Sequence, residues 1–476
     1  MAVPGTGTHV LVFPYPAQGH MIALLDLTHH LASNGLIITI LVTPKNLHIL
    51  KPLLSANPSI TTLVLPFPAQ PLIPDGVENA QDLPFHLGPV MIAALGGLHQ
   101  PLLSWFRSHA SPPVAVISDI FLGWTHHLAS ELGIRRIAFS PCGGLSLAVM
   151  YAMWSELPKR NDPNDENEVV SFPNIPNAPK FPWRYLSSLY TAYVEGDPVS
   201  EFVRNDNLAN IASWGLVMNS FTELDRVCLQ HLRDELGHDR VWAVGPLQPK
   251  DHDQSGTAQR GGSSSVSANL ILSWLDEHED HKVVYITFGS VTVLTNDQME
   301  QLASGLEKSG VHFVWSVKEP IEGQADGEYA TVPPGFEDRV AGRGLVIRGW
   351  APQVLILRHR AVGAILCHCG WNTVLEAIVA GVVMLAWPMV ADQFRNALAL
   401  EQLKAGIKVC EGAEAVPDSA YLARVIAESV DENRVERQRV MELCEAAREA
   451  TSVRGSSVKD LESLVAHLAE LEFPYN

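Results

Sequence analysis

His20 follows an apolar run of strand length, His9 to Pro14 (HVLVFP), with the turn Tyr15 to Gly19 between them. An imidazole at a helix start can take a proton from a hydroxyl: it titrates near about 6.5, and the positive end of the helix favours its neutral form. Asp119 ends a second strand-like run, Val114 to Ser118. A carboxylate bonded to one ring nitrogen would fix the tautomer and stabilise the imidazolium. Taken alone, a histidine after a strand is more often structural. The carboxylate at a strand end in the same half is what points to a general base.

A second constellation runs from Trp350 to Gln393. Ala361 to Cys367 (AVGAILC) reads as a strand, His368-Cys369-Gly370 as a tight turn, and Trp371 to Val379 as a helix. Gly370 admits a close backbone approach, and the helix start aims unpaired N–H groups and its positive dipole at the turn, which suits a diphosphate. Asn372, Thr373 and Glu376 share one face, so Glu376 lies just beyond the phosphate position, where paired ribose hydroxyls could donate to it. Val382 to Trp387 is a further strand, and Asp392-Gln393 lie past its C-terminal end, the usual ligand edge of an open parallel sheet. Residue by residue, an ordinary βαβ unit with tryptophans in its core remains an equal reading.

These groups need strands to carry them, and the chain supplies an alternation of strand and helix. Strands are expected at His9 to Pro14, Ile37 to Val42, Thr61 to Leu65, Val114 to Ser118, Arg136 to Ser140, Leu216 to Asn219 and Val241 to Val244. Helices are expected after His20, around Val90 to Arg107, at Thr125 to Leu132 and on to about Trp154; Leu157 to Tyr193 reads as loops and short helices. Such βαβ units argue for parallel sheets. Lys250 to Ser267 is polar and rich in Gly and Ser, a linker. Beyond it come strands at Val283 to Phe288, His312 to Val317 and Leu345 to Ile347, a polar loop at 319–335, a strand at Ile407 to Cys410, and helices at Pro417 to Val430, Val435 to Ala450 and from Gly455 to about Leu471. The expected domains are 1–249, a linker at 250–268, 269–455 and a C-terminal helix at 456–476, with a ligand cleft between two open α/β domains. Ser290, after the strand Val283 to Phe288, falls where it could meet phosphates.

Composition narrows the function. The 476 residues carry a net charge of −19, which argues against nucleic acid or an anionic membrane as partner. Six scattered cysteines read as reduced, and the N-terminus lacks the basic residues of a signal peptide, so a cytoplasmic location is expected. Cys367-His368-Cys369 has no second ligand pair at zinc-like spacing, so no metal is expected. A nicotinamide or flavin oxidoreductase would need a glycine triad after its first strand, and none is there. A catalytically dead sugar-binding protein would lack His20 and Asp119.

Trp350 to Gln393 resembles, over its full length, the signature box of plant family 1 UDP-dependent glycosyltransferases. The resemblance implies a GT-B fold of two Rossmann-like domains, with the acceptor in the N-terminal half, the nucleotide sugar in the C-terminal half and the last helix crossing back. PYPAQGH and ISDIFLGW match the family's catalytic pair at His20 and Asp119. The box implies that Trp350 stacks on uracil with Ala351 beside it, Gln353 contacts the uridine, His368 and the following turn with Asn372 and Thr373 hold the diphosphate, Glu376 takes the ribose, and Trp371, Asp392 and Gln393 hold the hexose. Ser140 matches a position that touches the sugar. Thr373 departs from the usual Ser, and Cys367 from the usual Thr.

By the same resemblance the reaction inverts the anomeric centre and requires no metal or other cofactor. Gln393 looks like the glucose type, and Trp371 argues against glucuronate. LVTPKN, LPFP, VIRGWAPQ and CEGAEAVPD resemble the branch with flavonol and hydroxybenzoate glucosyltransferases. The expected reaction is therefore glucosyl transfer from UDP-glucose to a flavonol or other phenolic, with a hydroxybenzoate, hormone or terpenoid acceptor, or another UDP-sugar, as the alternative. Phe121, Met150, Trp183 and Tyr185 are the expected acceptor pocket, each equally plausible as core packing. A monomer is expected.

Overall fold

Short β-branched and aliphatic runs, each followed by an amphipathic helix, give each half of the chain its own parallel sheet. The computed structural model describes residues 7–248, 264–290, 292–318 and 329–474. Most of the linker expected at 250–268, and residues 319–328 of the expected polar loop, lie outside the described residues. The chain divides into two units, Met1–Gln248 with Glu449–Asn476, and Pro249–Arg448.

In the first unit the strands are β1 (His9–Phe13), β2 (Ile37–Val42), β3 (Thr61–Val64), β4 (Ala115–Asp119), β5 (Arg135–Ser140), β8 (Gly215–Met218) and β9 (Val241–Ala243). They form a seven-stranded parallel sheet in the order β3-β2-β1-β4-β5-β8-β9. The order reverses between β1 and β4, and there the connections leave a crevice at the C-terminal ends of the strands. Val10, Val12, Ile38, Ile40, Ile117 and Phe139 fill the core. The final helix, Ser456–Ala469, closes the β9 edge: Leu464, Val465 and Leu468 join that core, and the Asp460 carboxylate accepts from the Ala243 N–H at 2.8 Å. An edge N–H is thereby satisfied that would otherwise invite pairing.

The second unit repeats the pattern with β10 (Val283–Thr287), β11 (His312–Val317), β12 (Gly344–Arg348), β13 (Val362–Cys367), β14 (Val383–Ala386) and β15 (Gly406–Lys408). The order is β12-β11-β10-β13-β14-β15, again parallel, and the reversal lies between β10 and β13. Among the described residues no helix is long and apolar enough to cross a membrane.

Three local expectations need correction. The helix expected at 90–107 is two, Gly88–Leu95 and His99–Ser108, joined by a 3-10 turn at Gly96–Leu98. A Cβ on Gly96 would collide with the Phe202 ring and one on Gly97 would come within 2.9 Å of Pro68, so close packing decides this bend. Within Leu157 to Tyr193, β6 (Val169–Ser171) and β7 (Lys180–Pro182) form an antiparallel pair, with Val170 and Phe181 buried. Helices at Pro198–Ile211 and Thr222–Leu236 were not anticipated; the first buries Asp206, Asn207 and Asn210 beside Val203 and Ala209, so its inner face lacks a continuous apolar stripe.

Candidate active site

β1 and β4 are neighbours in register, Phe13 opposite Ser118, so the turn after β1 comes down beside Asp119. The helix Gln18–Ser33 begins two residues before His20. His20 Nδ1 and Asp119 Oδ2 are 2.8 Å apart; the carboxylate is fully buried and the imidazole one-fifth exposed. The other oxygen, Oδ1, accepts from the Phe121 N–H at 2.9 Å. With Nδ1 donating to the carboxylate, Nε2 carries the basic lone pair. The ring is held on its sides as well: Phe121 stacks on it at 4.8 Å and 27°, and buried Tyr15 meets both rings edge-on, at 5.5 Å from His20 and 5.1 Å from Phe121. Sequence reasoning passed over Tyr15.

Behind Asp119 lies a buried polar clamp that sequence reasoning also missed. Arg136, on β5, is 1% exposed. Its Nε donates to Ser118 Oγ at 3.0 Å, one terminal nitrogen to Asn210 Oδ1 and Ser213 Oγ, both at 2.7 Å, and the other to the Asp119 carbonyl at 3.0 Å and the Ser118 carbonyl at 3.4 Å. Asn210 donates in turn to the Ile120 carbonyl, and Asp206 accepts from the Trp124 N–H at 2.8 Å. The segment 118–124, which carries Asp119 and Phe121, is thus gripped from β5 and from the helix Pro198–Ile211. Burial lowers the Arg136 guanidinium to about 10 and raises the Asp206 carboxyl to about 7, in each case against the pull of opposite charge. The visible signal for Arg136 was a cation inside an apolar strand.

In the second unit the corresponding reversal brings the end of β10 beside that of β13, Thr287 opposite Cys367. His368 follows, half-buried, and desolvation holds its imidazole down to about 4, so it is neutral at physiological pH. Two glycines make room for it: a Cβ on Gly289 would stand 2.5 Å from His368 Nε2, and one on Gly370 2.6 Å. Nδ1 of His368 is buried with no hydrogen-bond partner among the described residues. Cys369 takes a left-handed φ of +63°, and Gly370 caps the helix Trp371–Ala380 without a side-chain acceptor for its first N–H groups. A helix start and a buried, unpartnered imidazole nitrogen around glycine backbone fit an anion.

Gln353 links the next two residues: its Nε2 donates to Thr373 Oγ1 at 3.1 Å and to Glu376 at 2.6 Å. The hydroxyl that Thr373 keeps is therefore engaged by Gln353. Gln393 is 6% exposed, and its Oε1 accepts from the Met389 and Val390 N–H groups, both at 2.9 Å, which leaves the amide nitrogen as its outward donor. The Ser290 carbonyl accepts from Lys318 Nζ at 2.5 Å.

The remaining positions are less convergent. Ser140 ends β5, fully buried, its hydroxyl accepting from the Cys142 N–H at 3.2 Å. Trp350 and Ala351 follow β12, half-buried and buried respectively. Of the four expected acceptor residues, the structure brings Phe121 to His20. Trp183 lies under the Arg160 guanidinium at 4.7 Å and Tyr185 under that of Arg184 at 4.8 Å, while Met150 is half-buried on the helix Gly144–Glu156. Among the described residues no group of three or more His, Cys, Asp or Glu could hold a metal ion.

Residues 266–448 match the family model described as UDP-glucoronosyl and UDP-glucosyl transferase. UDP-glycosyltransferase 89B2 of Stevia rebaudiana is 59% identical, covering 97% of this chain and 98% of its own. The chain belongs to the UDP-glycosyltransferases. Flavonol 3-O-glucosyltransferase UGT89B1 of Arabidopsis thaliana is 56% identical over 98% of this chain and 97% of its own. The crystal structure of Arabidopsis thaliana UGT89C1 complexed with UDP-L-rhamnose superimposes with a TM-score of 0.80 at 39% identity, covering 97% of this chain and 99% of that one. As a UDP-glycosyltransferase of this plant group the protein is a glycosyl-transferring enzyme with the GT-B fold, and its two sheets are the α/β frameworks of that fold.

Proposed function

We infer that this UDP-glycosyltransferase is an inverting O-glucosyltransferase, moving glucose from UDP-glucose to a hydroxyl of a flavonol or related phenolic in the cytoplasm. The observation that carries the reading is the 2.8 Å contact of His20 Nδ1 with buried Asp119 at the reversal point of the first sheet. His20 Nε2 removes the proton from the acceptor hydroxyl, and the oxygen forms its bond to the anomeric carbon as the bond from that carbon to the diphosphate oxygen breaks. Asp119 stabilises the imidazolium that results. Attack from the face opposite the diphosphate converts an α-linked donor into a β-glucoside.

In the second unit the helix start after Gly370 takes the diphosphate through backbone N–H groups, Gln353 with Glu376 takes the uridine and its ribose, and Asp392 with the Gln393 amide N–H takes the hexose. Neutral His368 contributes as a hydrogen-bonding group rather than a cation. No metal is required, because these donors offset the leaving charge. Trp350 and Ala351 frame the uracil, and Ser140, Ser290, Trp371, Asn372 and Thr373 complete the donor contacts. The flavonol acceptor is supported by the relative named as a flavonol 3-O-glucosyltransferase. A rhamnosyl donor is the second reading, favoured by the UDP-L-rhamnose complex of a similar structure.

UDP release should be measured with UDP-glucose, UDP-rhamnose, UDP-galactose and UDP-xylose against flavonols, hydroxybenzoates and terpenoid alcohols, with and without a chelator. The expected result is turnover with UDP-glucose and a flavonol, unchanged by the chelator, with a β anomeric coupling in the product. Preference for UDP-rhamnose would replace the donor assignment, and silence with all phenolics would sink the acceptor class.

Gly289 offers a sharper test of the phosphate cradle. Alanine there is strained twice, by the backbone φ of +73° and by the His368 ring, whose Nε2 would stand 2.5 Å from the new Cβ. Strain of about 1–3 kcal/mol is expected at such a position, so Gly289→Ala should weaken UDP binding about 10–100-fold in a titration while far-UV circular dichroism stays native.

A further inference from the structure

Asn396 belongs neither to the histidine turn nor to the acid and amide at 392–393, yet it touches both. It lies in the first turn of the helix Gln393–Gln402 and is 1% exposed. Its Nδ2 donates to the Cys369 carbonyl at 3.0 Å and to Asp392 Oδ2 at 2.8 Å. An amide nitrogen carries two hydrogens, so both are committed. The first acceptor is the left-handed residue whose peptide runs into Gly370, the cap of the helix Trp371–Ala380; the second is the carboxylate that opens the helix Gln393–Gln402.

We propose that Asn396 is a positioning residue that locks the Asp392 carboxylate to the Cys369–Gly370 peptide, fixing the spacing between the hexose contact and the diphosphate contact. The inference rests on the reading of Asp392 as a hexose-binding group given above. Asn396 occupies Oδ2 of Asp392, which leaves Oδ1 to meet a sugar hydroxyl. Its other hydrogen satisfies a buried carbonyl in a strained turn. One side chain therefore sets the relative position of two ligand contacts that come from different strand connections.

The test compares titrations of UDP-glucose and of UDP alone. Asn396→Leu should weaken UDP-glucose about tenfold and UDP less than about threefold, the loss of one hydrogen bond to a charged group. In an Asp392→Ala background the same substitution should change UDP-glucose affinity less than about twofold, since it then has no carboxylate to position. Melting curves show whether each variant is folded. Equal losses for UDP and UDP-glucose, or full additivity with Asp392→Ala, would show a merely structural asparagine and overturn the proposal. If Asp392→Ala itself leaves the ratio of UDP-glucose to UDP affinity at the wild-type value, the hexose role of Asp392 fails first, and the proposal with it.

Discussion

Asp119→Asn is expected to lower kcat by about three to four orders of magnitude while leaving UDP-glucose affinity within about twofold, as when the orienting acid of a base is made an amide. The structure fixes the direction. Asp119 Oδ1 accepts from the Phe121 N–H, so an asparagine must turn its oxygen that way and aim its NH2 at His20 Nδ1. The imidazole then accepts at Nδ1 and carries its proton on Nε2, the wrong tautomer for a base. Initial rates with saturating donor and acceptor decide it; a loss of less than tenfold would remove Asp119 from the mechanism.

Arg136→Met is expected to cost about 3–5 kcal/mol of stability, the range for removing one partner of a buried charged network. All five guanidinium hydrogens are spent on Ser118, Asp119, Asn210 and Ser213, and the same cation draws the raised Asp206 carboxyl down. The pH dependence has a definite sign. Asp206 has a folded-state value of about 7 against 3.8 for a free carboxyl, so the stability it contributes is present at low pH and is lost as pH rises through about 7. Without Arg136 that value climbs further. The mutant should therefore lose more stability at pH 8 than at pH 5 in urea unfolding followed by tryptophan fluorescence. An equal loss at both pH values would show that Asp206 does not feel the guanidinium.

Most of the parallel framework was legible in the sequence because buried parallel strands are short unbroken apolar runs: Ile37 to Val42 and His312 to Val317 have the expected bounds. The helix Pro198–Ile211 was not, for a physical reason. Its inward face mixes Val203 and Ala209 with Asp206, Asn207 and Asn210, so polar residues interrupt the periodicity that marks an amphipathic helix, and the partners of Asp206 and Asn210 are far away in sequence. The His20 and Asp119 pairing could be anticipated from strand ends. Tyr15 and Asn396 could not, because each acts through contacts that only the folded sheet brings together, and Arg136 showed only as a cation inside an apolar strand. For Trp183 and Tyr185, expected from aromatic type as acceptor contacts, the structure adds an arginine over each ring.

The seat of His368 is defined by atoms that are not there. Gly289 and Gly370 contribute a hollow rather than a contact, and the imidazole fills it from within. Such a mould is read negatively: a comparison of sequences that scores chemical groups sees two small residues, whereas the fold sees the space that the ring occupies. A single methyl group at the floor of this hollow would collide with the ring.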